Sequence, residues 1–189
     1  MQITAHDFLT AIHGMLFGGL FLMACFAVLV LVLRALGTRG TTALTESARR
    51  WERIFLIVMV ALGWAAVLTG AYVVYPWYRA PLPPGATNLA DYPQRLLLSD
   101  PRTAGWHTLG MEWKEHVAWF APILMTAAAF VWMRYQSAGP DFRRVRITVA
   151  SFTAAALLAG VIAAGFGALI DKNAPISGGS IIHLARGAQ

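Results

Sequence analysis

The chain has 189 residues, 58% of them hydrophobic and only 13% charged. Soluble domains carry about a quarter charged residues, so a water-soluble core is excluded, and the mean hydropathy of +0.58 agrees. The net charge of +6 invites a nucleic-acid reading, which its distribution excludes: the positive residues flank long apolar runs, as membrane topology requires.

Thr4 followed by Asp7 is a helix N-cap signature. The uncharged run that follows, Phe8–Leu33, covers 26 residues. As a helix it is about 39 Å long, enough to cross a hydrocarbon core of about 30 Å with tilt or overhang. No basic segment precedes it and no cleavage site follows, so it reads as a retained first helix rather than a signal peptide. Cys25, the single cysteine, lies inside this run. No intramolecular disulfide is possible and no Cys-x-x-Cys-His motif exists, so any haem would be held by coordination alone.

The second run, Ile54–Tyr75, stops at Pro76, and Tyr72, Tyr75, Trp77 and Tyr78 resemble an interfacial aromatic belt. A proline-rich stretch to Pro93 follows, expected to be extended and irregular. The segment from Trp106 to Trp119 returns to helix and leads into the third run, Val117–Met133, with Trp113 and Tyr135 as anchors. The fourth run, Ile147–Ile170, stops at Asp171. Alternation of period two is absent, so the runs read as helices and not barrel strands. The expected fold is an all-α integral membrane protein: a single membrane domain, 1–189, forming a four-transmembrane-helix bundle. Its helices are expected near 6–36, 52–76, 112–135 and 145–171, with a loop at 77–111 and a tail at 172–189.

Orientation follows from lysine and arginine near the span ends. The two short inter-span loops hold nine basic residues (Arg34, Arg39, Arg49, Arg50, Arg53, Arg134, Arg143, Arg144 and Arg146) against Glu46, Glu52 and Asp141. The opposite side has six basic and six acidic residues. The arginine-rich loops are therefore expected in the cytoplasm, and both termini and the long loop outside, in a bacterial inner (plasma) membrane.

All five histidines (His6, His13, His107, His116 and His183) then fall on the outer side. His13 sits inside the first run and His116 opens the third. A neutral imidazole can bind a metal through one ring nitrogen while the other is hydrogen-bonded, and two facing histidines from separate helices hold a six-coordinate b-type haem. Gly14 and Gly18 form a Gly-x-x-x-Gly beside His13. Such a pair lets a porphyrin face approach, though its more frequent role is helix packing. Met15, Phe17, Phe21, Trp119 and Phe120 are candidates to wall an apolar pocket. His116 is closer to its interface than His13, and His6 matches its depth better, so His6 is a third candidate ligand.

On His13, His116, Gly14, Gly18 and the topology, the chain resembles small four-helix membrane b-type cytochrome subunits of respiratory electron-transfer complexes. The resemblance is one of architecture and implies haem b, neighbouring membrane subunits, and electron transfer between a quinone pool and an outer cytochrome or other redox protein. Two other readings stay open. One is a structural or assembly subunit without a cofactor. The other is an outer-face copper or other metal site built from Glu112, Glu115, His116, His6 and Asp7, since mixed carboxylate and imidazole ligands suit copper, zinc or non-haem iron. A nucleophile elbow, a phosphate-binding glycine loop and His-Glu-x-x-His are all missing.

The orientation is testable by labelling. Cysteines introduced as Asn88→Cys and Ser180→Cys are expected to react with an impermeant thiol reagent in intact cells, and Thr42→Cys is not. The opposite pattern would invert the protein and carry every histidine to the cytoplasm.

Overall fold

The computed structural model describes residues 2–37, 46–135 and 142–183. In chain order the elements are β1 (Gln2–Thr4), α1 (Ala5–Gly37), α2 (Glu46–Tyr78), α3 (Pro93–Leu98), α4 (Pro101–Tyr135), α5 (Phe142–Asn173) and β2 (Ile181–His183). Four of them, α1, α2, α4 and α5, are long and apolar enough to cross a membrane. Arg39, Thr42, Asp141 and Arg186 lie outside the described residues.

The predicted all-α architecture stands, with one addition. β1 and β2 pair antiparallel, Gln2 opposite His183, so the first and last described segments, near the two termini, meet at one end of the bundle. The Thr4 hydroxyl accepts from the Asp7 amide while the Asp7 carboxylate accepts from the Thr4 amide and hydroxyl, a full capping box at the start of α1.

The third span begins at Pro101 and not near 112, which shortens the expected loop to 79–100. Asp100 explains this. Its side chain accepts from the Arg102 amide at 2.9 Å, and Pro101 occupies the first turn, where a missing N–H costs nothing. Hydrogen bonds from the Arg102 guanidinium also hold the Asp100 carboxyl below the usual carboxylate range. Further along, buried Pro122 has no N–H to offer Ala118. The Ala121 amide takes that carbonyl instead at 3.1 Å, so the chain turns tightly at 118–119 without orphaning a backbone group.

Each long helix packs against two antiparallel neighbours. Phe21 of α1 meets Gly63 of α2; Trp64 of α2 donates to Thr126 of α4 at 3.1 Å. Trp113 of α4 donates to the Ala159 carbonyl of α5 at 3.3 Å, and Gly160 of α5 abuts Leu22 of α1. The ring closes at the arginine end, where Arg146 of α5 donates to the Ala35 carbonyl in the last turn of α1. There too Trp132 of α4 donates to Glu52 of α2 at 2.9 Å.

Small side chains set the close approach of α4 and α5. Ala121, Ala128, Ala129, Ala150, Ala156 and Ala159 are all buried, around Cys25, Met59 and Met125. A smaller cluster of Tyr78, Leu97, Met111, Ile170, Ala174 and Ile176 packs the loop segment onto the opposite end, which carries the termini.

Gly63 is a point where this packing has no slack. A Cβ there would stand 2.7 Å from a ring carbon of Phe21, itself 3% exposed. Gly63→Val is expected to lower stability by about 1–3 kcal/mol, read as an earlier unfolding transition in detergent. Gly14→Ala, whose Cβ meets nothing within 4 Å, is the control expected to leave the transition in place.

Candidate functional site

Three of the four long helices lose regular α-geometry at the end that carries the termini. Widened π-helical turns run over Ile12–Gly19 in α1, Gly70–Val74 in α2, and Trp106–Met111 and Trp113–Val117 in α4. Such turns are rare and concentrate at functional sites. Here they carry His13, Gly70, His107, Lys114, Glu115 and His116.

His13 is half-buried and faces α2. Its Nδ1 lies 3.1 Å from the Thr69 hydroxyl oxygen. That hydroxyl has one proton, which it donates to the Ala65 carbonyl at 2.6 Å, with the Ala66 carbonyl at 3.2 Å. Thr69 therefore accepts from His13, so Nδ1 carries the imidazole proton and Nε2 the free lone pair. Gly70 makes the close approach possible: a Cβ there would sit 2.7 Å from His13 Cε1. One neighbour thus fixes the tautomer and another the ring position, the arrangement that orients histidine ligands in metal proteins.

The other predicted ligands are placed differently. His116 is 70% exposed at its side chain, with Nδ1 turned onto the Glu112 carbonyl of its own helix at 3.0 Å and the Glu112 carboxylate at 3.5 Å. His13 and His116 engage different partners on different faces. His6 stacks on Trp77 with ring centroids 3.8 Å apart, and its Nδ1 bonds the Ser177 carbonyl at 3.3 Å. Gly178 and Gly179, both with positive φ (114° and 78°), wrap the chain around that ring. Gly14 faces open space, and Gly18 meets only the His13 carbonyl of its own helix. The aromatic set does not wall one pocket: Met15 is 78% and Phe120 54% exposed, whereas Phe21 is in the core. Among the described residues, no three of His, Cys, Asp and Glu come together as a metal-binding group. The carboxylate set expected around Glu112 and His116 is likewise dispersed, with Asp7 committed to its capping box.

Sequence reasoning missed the most informative charge. Lys114 lies between the helices, its Nζ 2.8 Å from where a Cβ on Gly167 would stand. Among the described residues no carboxylate is within ion-pair distance of it. Asp171, one turn beyond Gly167, is within electrostatic range, and so is His13; Asp7 is in turn within range of Asp171. The signal was in the spacing: Met111, Lys114, Val117 and Ala121 recur every three or four residues, which puts Lys114 on the inward stripe of α4. A second polar group, also unforeseen, joins α2, α3 and α4. Gln94 donates to His107 Nε2 at 3.3 Å, which leaves His107 Nδ1 to donate to the hydroxyl of fully buried Tyr78 at 2.7 Å.

Compared with known proteins, the chain matches no family model, no curated protein and no solved structure.

The Thr69 contact is testable alone. Thr69→Val keeps the shape and removes one acceptor, leaving the His13 ring only the Ala66 carbonyl, at a cost of about 1 kcal/mol. The expected result is a lower unfolding midpoint together with a mixed tautomer in the imidazole nitrogen spectrum of His13. A spectrum unchanged from wild type would show that Thr69 does not set the proton.

Proposed function

We propose that this chain is a membrane electron-transfer subunit that holds a b-type haem at the end carrying the termini, with His13 as an axial ligand. The observation that carries the reading is the His13 geometry: Nδ1–H is committed to Thr69 and the Nε2 lone pair is free, inside a helix apolar enough to span a membrane. An imidazole is costly in such a place unless it has a task. The Lys114 amine, without an ion pair among the described residues, lies in the same region and supports the same end of the bundle as the working end.

The residues fit such a group in part. His13 has the free nitrogen and the supporting hydrogen bond an axial ligand needs. His116 also keeps Nε2 free but on an exposed face, so the paired-ligand expectation enters as a proposal that depends on α4 presenting that face to the haem. A bound haem would supply one-electron transfer. The chain's part is to orient it through His13 and Thr69, surround it with apolar helix faces and keep water out. Quinone and an outer redox protein are the proposed electron partners, with the arginine-rich end in the cytoplasm.

One observation favours a second reading, a structural or assembly subunit. Gly14 is open on the α1 surface, beside exposed Met15 and Leu16, so among the described residues no other helix packs on its Gly-x-x-x-Gly with Gly18, a face suited to a partner helix.

A visible spectrum separates the two. Purified protein is expected to show reduced-minus-oxidised bands of a b-type haem, sharply weakened in His13→Ala and retained in His183→Ala. Should His116→Ala match His13→Ala, both ligate one haem. A colourless, metal-free wild-type preparation would sink the haem reading and leave the assembly reading standing.

A further inference from the structure

The opposite end of the bundle carries a site that the haem reading does not use. Arg49, Arg50 and Arg53 stand in the first two turns of α2, all exposed. Among the described residues none of them makes an ion pair. Two of their neighbours at this end are engaged: Arg146 reaches the Ala35 carbonyl and lies 4.3 Å from the centroid of the Phe142 ring, and Arg134 lies 5.4 Å from that of Tyr135. Glu52 is in electrostatic range of Arg53, but one carboxylate oxygen is spent on the Trp132 indole and the other is buried. The three arginines also occupy the helix end where positive charge is least favoured. Three positive charges so placed repel one another unless something anionic lies among them.

What lies below them narrows the candidate. Arg49, Arg53 and Ile57 recur every four residues, and Arg50 and Ile54 continue the same face. With exposed Glu46 and Ser47 they form one continuous strip along the start of α2, polar above and apolar below. Ile54 is 38% and Ile57 57% exposed, and Trp51, 67% exposed, marks the level of a membrane interface. Three cations against one acid, directly above an apolar floor, match a molecule with an anionic head and a hydrocarbon tail. A soluble anion would gain nothing from the isoleucines. Guanidinium forks suit phosphate oxygens in particular.

We propose that the first turns of α2 bind an acidic phospholipid, with its phosphate among Arg49, Arg50 and Arg53 and an acyl chain along Ile54 and Ile57. The site needs no cofactor and holds for either orientation of the bundle, so its fate is independent of the haem reading.

The test uses the purified full chain in detergent, delipidated and then mixed with phosphatidylglycerol or phosphatidylcholine, with bound lipid counted by native mass spectrometry. Phosphatidylglycerol is expected to bind at least about tenfold better than phosphatidylcholine, because each basic residue near an anionic lipid headgroup adds attraction. The preference should vanish in R49Q/R50Q/R53Q and persist in R95Q/R102Q, which removes charge at the other end. Ile57→Asn should weaken lipid retention with all three arginines intact, which keeps the proposal testable if the triple variant fails to fold. Excess inorganic phosphate should leave the lipid bound. Equal binding of the two lipids, an unchanged preference in R49Q/R50Q/R53Q, or full displacement by inorganic phosphate would each overturn the proposal.

Discussion

Hydrocarbon offers a peptide group no hydrogen-bond partner, and that constraint organises this protein down to individual protons. Backbone groups are satisfied within helices, and where regularity fails the repair is local: Ala121 takes the carbonyl that Pro122 cannot. Two threonine side chains obey the same rule. Thr69 and Thr126 each give their proton to a carbonyl of their own helix, Ala65 and Pro122 respectively. Having spent the donor at home, each offers only a lone pair outward, and each receives a ring N–H from a neighbouring helix: His13 in one case, Trp64 in the other. The tautomer of His13 is thus a consequence of how α2 satisfies itself, two steps removed from any ligand.

The two ends of the bundle solve their electrostatics in different ways. At the arginine end the ionisable groups that turn inward find partners across helices, Glu52 with Trp132 and Arg146 with Ala35. Those two contacts bridge all four long helices and make that end a clasp. At the end carrying the termini the tie is made by other means: a two-stranded sheet, the stack of His6 on Trp77, and the Gln94–His107–Tyr78 chain. Inside those ties the helices widen into π-turns, and Lys114 has no ion pair among the described residues. A region fixed at its rim and irregular inside resembles a place built to hold something more than a place where the fold is merely closed off.

Much of this was legible in the sequence because hydrophobic runs and caps are local signals. The four spans and the Thr4–Asp7 cap were readable directly. The start of α4 was not, because Gly105, His107 and Gly110 interrupt the apolar pattern of a segment that is nevertheless helical from Pro101. Burial was harder still. Hydropathy gives depth but not azimuth, so neither the inward position of Lys114 nor the exposed one of His116 could be read from the sequence pattern of spans alone. Partners separated by many residues, such as Thr69 for His13 or Gln94 for His107, leave no sequence signal at all. The β1–β2 pairing escaped for the same reason, since each strand is three residues long and its partner lies at the far end of the chain.

The distinction among the histidines then rests on lone pairs, not on depth. His107 has both ring nitrogens occupied, one by Tyr78 and one by Gln94, so binding a metal there would break a buried hydrogen bond. His6 is sandwiched between Trp77 and a glycine turn, where an incoming group would have to displace the stack. His116 is free at Nε2 but held only through its own helix, so its ring direction follows α4 and nothing else. His13 alone of the four combines a free Nε2 with a partner on a second helix and a glycine that limits its swing. A ligand must be both available and held still, because the energy of the bond is partly lost if the ring is ordered only on binding. That requirement points to His13 on structural grounds, and it explains why a threonine and a glycine on α2, not a second histidine, are the residues that prepare it.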